Sequence, residues 1–332
     1  MWRLQRMLCA DAETPIPSAF RAVEHDLLTY ERAGTIYVAG PPTAKHIVFF
    51  VGGFPDDQRA FLSLAKRMAD AGCLVGVGCM PDFDRIAKGL EPLRRWGWSF
   101  VEDGECIAQA IAALRAQSST RAQLTVVAHD FGVTPALHFV NTSSCDRLVI
   151  LDYLIAEEGF SSVYDAITIL NYMIILGWVF FLSRFSTWLA QLWLWPLLVL
   201  TEHASFVFPA SPTLDKKCAS ITRMSFDLMS GYYQGCRLAF HPREARELEK
   251  CLSVSLGVRR QPTLFIYGKE KNVAYHTPKQ LGQIREAGGK VLAVDGAGHW
   301  VHHHQEDICF DAIKDFIFEP AAKPKRGRSP SR

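Results

Sequence analysis

Three short stretches hold residue types that together could hydrolyse a substrate through a covalent intermediate: VGGFPDD at 51–57, VAHDFG at 127–132 and GAGHW at 296–300. In the second, Asp130 stands at the tip of an apolar run, with Ala128 and Gly132 two places to either side. That pattern, small residues flanking a nucleophile at ±2, suits a sharp strand-to-helix turn that lifts one side chain above a sheet. A Cβ of any size at the outer positions would strike the neighbouring strand and helix. A carboxylate held there can act as a nucleophile, and the following helix aims its first N–H groups at it. The competing reading of Asp130 is a plain helix N-cap. His299 follows a strand and a Gly-rich loop, where an imidazole can activate water near neutral pH. The Gly-Gly turn before Phe54 lets the Phe54 amide approach a developing oxyanion, alongside the amide of Phe131.

For these residues to meet, a sheet must carry them to one edge. Short apolar runs at 46–51, 74–79, 123–128, 147–152, 262–267 and 290–294 alternate with amphipathic stretches at 57–71, 98–116, 132–141, 277–288 and 305–318. The alternation predicts an α/β fold, a mostly parallel sheet with helices on both faces. Upstream, HDLLTYERAGTIYVAG at 25–40 is predicted to form an antiparallel hairpin turning near Ala33-Gly34.

The repeat is interrupted over residues 155–246. There the segment 166–201 gathers Trp178, Trp188, Trp193 and Trp195 among many Ile, Leu and Phe, broken only by Asn171, Arg184, Gln191 and Pro196. Its stretch 166–182 falls slightly short of the ~20 apolar residues that a spanning helix needs. Three readings stand side by side: a buried structural helix pair, a segment lying on a membrane surface, and a true span.

Composition narrows the class. The 332 residues are 49% hydrophobic and 21% charged with a net charge of +2, which gives a large core and no nucleic-acid footprint over the body. Basic residues cluster only in KPKRGRSPSR at the end, read as a solvated tail, with contact to anionic membrane or control by phosphorylation as its alternative. Nine cysteines without a CxxC, and an N-terminus without a long apolar core, predict reduced thiols inside the cell: cytoplasmic or peripherally attached to a membrane, not secreted. The triple histidine at 302–304 lacks a neighbouring ligand set, so it predicts surface residues and no metal site.

At these motifs the chain resembles the α/β-hydrolase family, in the branch with an Asp nucleophile that holds epoxide hydrolases and haloalkane dehalogenases. The resemblance covers residues 25–154 and 247–319 as a core, with 155–246 where the family carries a helical cap and 320–332 as the basic tail. VGGFPDD is similar to the family's HGxP loop with Gly52 in place of His, AHDFG to its GHDWG elbow, and GAGHW to its catalytic-His motif. Two positions depart from the pattern. Where relatives have the triad acid after the strand LFIYG, this chain has Lys271; Glu270 is adjacent, and Asp152 at the end of RLVILD is the second candidate, since some dehalogenases place their acid there. Phe131 replaces the usual Trp and removes the indole donor that halide release uses, which disfavours dehalogenation. Epoxide opening needs an acid for the leaving alkoxide, supplied in the family by cap tyrosines. Tyr153, Tyr164, Tyr172, Tyr232 and Tyr233 are available, with Tyr153, Tyr232 and Tyr233 as the candidates.

The resemblance thus implies attack by Asp130, hydrolysis by water that His299 activates, an oxyanion hole from the Phe54 and Phe131 amides and no cofactor, and the apolar composition of the cap suits a small lipophilic substrate. It leaves open a membrane contact through the cap, the oligomeric state, and a second function class: a binding or membrane-associated protein that keeps the fold without turnover.

Overall fold

The structure is a computed structural model and describes residues 15–54, 56–88, 90–119, 121–143, 145–154, 161–194, 226–246, 261–271 and 274–319. Trp195 and Pro196, the join between cap and core at 247–260, and the basic tail lie outside the described residues.

Period-two alternation builds the sheet. In β3 (His46–Val51) the side chains of Ile47, Phe49 and Val51 enter one core, while Val48 and Phe50 enter another on the opposite face. The neighbours β4 (Leu74–Gly78), β5 (Gln123–His129) and β6 (Arg147–Leu151) are apolar on both faces, as strands covered on two sides must be. With β1 (Arg21–Leu27), β2 (Tyr30–Ala39), β7 (Thr263–Gly268) and β8 (Lys290–Val294) they form one sheet in the order β1-β2-β4-β3-β5-β6-β7-β8. The β1/β2 and β2/β4 pairs are antiparallel and the others parallel. The hairpin differs from expectation: Leu27 pairs with Tyr30, so the chain turns at Leu28-Thr29 and the sequence's Ala33-Gly34 falls inside β2. Gly34 is there for space, because a Cβ on it would lie 2.4 Å from the His25 ring.

Helices α1 (Leu62–Asp70) and α9 (Glu306–Phe318) cover one face through Leu64, Met68, Ile313 and Phe316. On the other face lie α3 (Phe100–Arg115) and α4 (Val133–Thr142), through Ile107, Leu114 and Ala136. The short α2 (Phe83–Ala87), α7 (Pro278–Glu286) and α8 (Val301–His304) complete the core. Starts are set by side chains: Ser99 with Glu102 and Thr277 with Gln280 form capping boxes at α3 and α7.

The cap follows β6. Its helix α5 (Val163–Ser183) begins at Ser162, whose hydroxyl accepts from the Asp165 N–H, and ends at Arg184, which pairs with Asp227 at 2.5 Å. Helix α6 (Ser230–Leu238) packs on it where Gly177 leaves room; a Cβ there would lie 3.0 Å from Cys236 Sγ. Leu176, Val179 and Phe180 of α5 are buried in the core below. Within this 21-residue helix an 18-residue stretch has a mean hydropathy of 2.0, yet only 22% of that stretch is buried, so one side packs on protein and the other faces outward.

Candidate active site

The elbow is sterically closed around Asp130. Strand β5 ends at His129, Asp130 takes φ +52°, and a tight turn over Asp130–Gly132 leads into α4. Left-handed backbone on a non-glycine residue costs roughly 1–2 kcal/mol and persists only where the surroundings enforce it. They do: a Cβ on Gly132 would lie 2.6 Å from the Gly52 carbonyl oxygen, and one on Gly53 would lie 2.3 Å from the Phe131 nitrogen. This close approach brings two amides to one carboxylate oxygen. Asp130 Oδ1 accepts from the Phe54 N–H at 3.0 Å and from the Phe131 N–H at 2.5 Å.

The other oxygen faces the imidazole. His299 Nε2 lies 2.9 Å from Asp130 Oδ2, and its Nδ1 lies 2.9 Å from Asp152 Oδ2. Asp152 sits past β6 in the same left-handed conformation as Asp130, with φ +52°, and is fully buried. Its Oδ1 accepts from the Gly268 N–H at 3.2 Å and from the buried ammonium of Lys271. Lys271 thus occupies the place after β7 where the family resemblance expects an acid, and serves instead as the cation of an acid supplied by β6.

Together the four side chains form an alternating row of charge. Burial alone would favour neutral Asp130, but hydrogen bonding and attraction from His299 hold it below the usual carboxylate range. Burial also opposes ionised Asp152, and it is outweighed by Lys271 and then by His299. The imidazole, which burial would strip of its proton, is raised to about 9 by its bonds to Asp130 and Asp152. Carboxylate, imidazolium, carboxylate and ammonium sum to zero, the condition under which buried charges are tolerated. The alternative acid stands outside this row: Glu270 Oε1 accepts from the Gly296 N–H at 2.9 Å, a brace between two loops with no contact to His299.

Of the candidate tyrosines, Tyr232 reaches the elbow. Its ring meets Phe131 edge-on at 4.6 Å and Phe54 at 5.0 Å, and its hydroxyl shares a 2.9 Å hydrogen bond with that of Tyr172. Tyr153 lies farther off, 6.0 Å from the Phe131 ring. Tyr233 does not join them; the next residue along α6 is rotated by ~100°, and it packs on Trp96 and Phe180 at 5.5 and 5.2 Å. Tyr275, which the sequence did not single out, lies against His299 with ring centroids 4.8 Å apart and the planes tilted by 48°. Burial pushes the phenols of Tyr172, Tyr232, Tyr153 and Tyr275 above their ordinary value, so all four keep their protons at neutral pH.

A second buried layer lies beneath. His129 donates from Nε2 to the His299 carbonyl at 3.1 Å, and burial lowers it to about 3, so it stays neutral beside the imidazolium. Asp56, in the loop after β3, accepts from the Trp300 indole at 2.8 Å and is pushed up to about 7, chiefly by burial. His302 corrects an expectation. Instead of lying at the surface it is buried, stacked on Phe61 at 4.4 Å and edge-on to His129 at 4.6 Å.

No family model matches the sequence, and neither does any curated protein. Solved structures do match, over nearly the whole of both chains. Potato (Solanum tuberosum) epoxide hydrolase I is 16% identical, with 90% of this chain and 98% of that one covered at a TM-score of 0.56. The epoxide hydrolase CorEH is 15% identical over 91% and 99%, with a TM-score of 0.59. A haloalkane dehalogenase loop variant from Bradyrhizobium elkanii is 13% identical over 90% and 96%, also at 0.59. Sheet order, elbow and overall likeness agree that this chain has the α/β-hydrolase fold, the fold of epoxide hydrolases and haloalkane dehalogenases.

Proposed function

We propose that the protein is a hydrolase that opens lipophilic epoxides through an ester on Asp130. One observation carries the reading: a single carboxylate has one oxygen between two backbone amides and the other 2.9 Å from an imidazole that a second carboxylate orients. Nucleophile, oxyanion hole and base therefore converge on Asp130. The Tyr172–Tyr232 pair beside it supports epoxide opening, and the phenyl ring of Phe131, which has no N–H for a halide, argues against dehalogenation.

In the first step Asp130 Oδ2 attacks an epoxide carbon, the C–O bond breaks, and the alkoxide takes a proton from the Tyr172–Tyr232 pair. Esterification removes one of the two anions that hold the proton on His299, so its affinity falls from the resting value of about 9. That proton makes good the tyrosinate, leaving a neutral imidazole. His299 then takes a proton from water as the hydroxide adds to Cγ of the ester, and the charge on Oδ1 rests on the Phe54 and Phe131 amides. Collapse breaks the Cγ–Oδ2 bond, and the departing alkoxide is protonated by His299. The new carboxylic acid returns its proton to His299, restoring the resting ion pair.

The test is the intact-protein mass after brief exposure to a medium-chain terminal epoxide. His299→Gln is expected to accumulate one covalent adduct that maps to Asp130, while wild type releases diol. Neither adduct nor diol across lipophilic epoxides would sink the proposal and favour a binding protein without turnover, the reading to which Gly52 and Lys271 lend weight. Loss of both phenols in Tyr172→Phe/Tyr232→Phe is expected to slow adduct formation by about 10²–10⁴-fold, the usual worth of a positioned acid. Tyr233→Phe, facing Trp96, is expected to change it less than about twofold, since no proton passes through it.

A further inference from the structure

The outward side of α5 is apolar apart from Asn171. Val163, Ile167, Leu170, Ile174 and Trp178 recur at helical spacing along one exposed stripe, with Ile174 56% exposed, while Tyr172 and Leu176 on the opposite side enter the protein. Beyond Arg184 the stripe continues in Phe185, Trp188 and Trp193, and ring contacts join the two parts: Trp178 meets Trp193 at 6.4 Å and Phe181 meets Phe185 at 5.1 Å. Of the sixteen exposed large hydrophobics among the described residues, eleven lie between 163 and 193, so this is one patch rather than scatter.

The edge of the patch is cationic and opens on a cavity. Trp96 contacts Phe181 and Phe185 of the patch at 6.0 and 6.3 Å, and also lines a cavity of about 700 Å³ together with Arg94, Arg95, Arg237, Glu102 and Glu244. Three arginines and two glutamates thus line it, and exposed Arg243 and Arg246 stand on either side of the lining Glu244 in the sequence, adding to the positive charge. The inner wall is Phe100, stacked on Phe131 next to the nucleophile at 6.3 Å.

We infer that this face docks on the surface of a lipid bilayer, with α5 lying in the interface and the cavity mouth at headgroup level. Tryptophans and aliphatic side chains on one face with arginines at its edge are the composition of an interfacial segment, and the cationic excess complements anionic headgroups. A second copy meeting this face across a two-fold axis would set the same excess of arginines against itself. A span does not fit, because α5 is fastened along its inner side by the Tyr172–Tyr232 bond and the α6 contact at Gly177. The docking stands whether or not Asp130 turns over; joined to the proposed reaction, it makes the substrate a membrane-derived lipid that enters past Trp96.

Co-sedimentation of the full chain with phosphatidylcholine vesicles, with and without phosphatidylserine, tests this, together with quenching of tryptophan emission by bromolipids. Wild type is expected to partition, more strongly with phosphatidylserine. Ile167→Glu/Ile174→Glu, with an unchanged melt, is expected to lose at least about tenfold in partitioning. Arg243→Gln/Arg246→Gln, at exposed sites outside the core, is expected to lose roughly fivefold per charge on anionic vesicles only, and it decides the matter if the glutamate variant fails to fold. Absence of wild-type partitioning, partitioning unmoved by the glutamates, an anionic preference unmoved by loss of the arginines, or a dimer that the glutamates dissolve without any vesicle binding would each overturn the inference.

Discussion

Asp130→Asn is expected to leave a folded protein whose diol formation is slower by at least about 10⁴-fold, the scale on which losing a nucleophile acts. The substitution is chosen for the backbone: Asn is among the few residues that tolerate φ near +52°, and its carbonyl oxygen can still accept from the Phe54 and Phe131 amides. What it removes is the attacking anion. It also removes one of the two carboxylates that raise His299 to about 9, so the imidazole should titrate nearer its ordinary value. Diol formation beside a thermal melt checks both halves. A melt like wild type with turnover within tenfold would mean that Asp130 is not the nucleophile.

Lys271→Met is expected to produce the largest loss of stability, about 3–5 kcal/mol, the cost of stripping one partner from a buried pair. Asp152 is fully buried and Lys271 nearly so; without the ammonium, the row of four charges carries a net negative charge away from water. Denaturant midpoints should drop, and Lys271→Arg should recover much of the loss. The pH response separates charge from packing. Removing a cation near the imidazole raises the proton affinity of His299, so the basic form arises at higher pH and ester hydrolysis should reach its plateau later than in wild type. Stability and pH profile both unchanged would contradict the charge row.

The sharp turn at Asp130, the glycine pair at 52–53 and the loop before His299 are legible because each is a local pattern of small residues; the Gly53 and Gly132 contacts show the steric purpose directly. The class of fold was legible for a similar reason, since strands buried on two faces write apolar runs. Lys271 was not. Its partner Asp152 stands 119 residues earlier and reaches it only because β6 and β7 are neighbours, a pairing that no local signal announces. Helix phase hid the tyrosines: Tyr232 and Tyr233 are adjacent in sequence, and only packing decides which one turns to Phe131. The burial of His302 is hidden in the sequence, because a histidine run looks polar until folding sets one of its rings against Phe61 and His129.

If Asp130 is the nucleophile, the oxygen added to the product comes from its carboxylate, and water then restores that carboxylate oxygen. With enzyme in excess over a lipophilic epoxide in oxygen-18 water, the first turnover should yield diol free of heavy oxygen, while the peptide containing Asp130 gains it, because Oδ2 leaves with the product and water replaces it. Heavy oxygen in the first diol with an unlabelled peptide would mean direct attack by water, and the covalent account would be wrong.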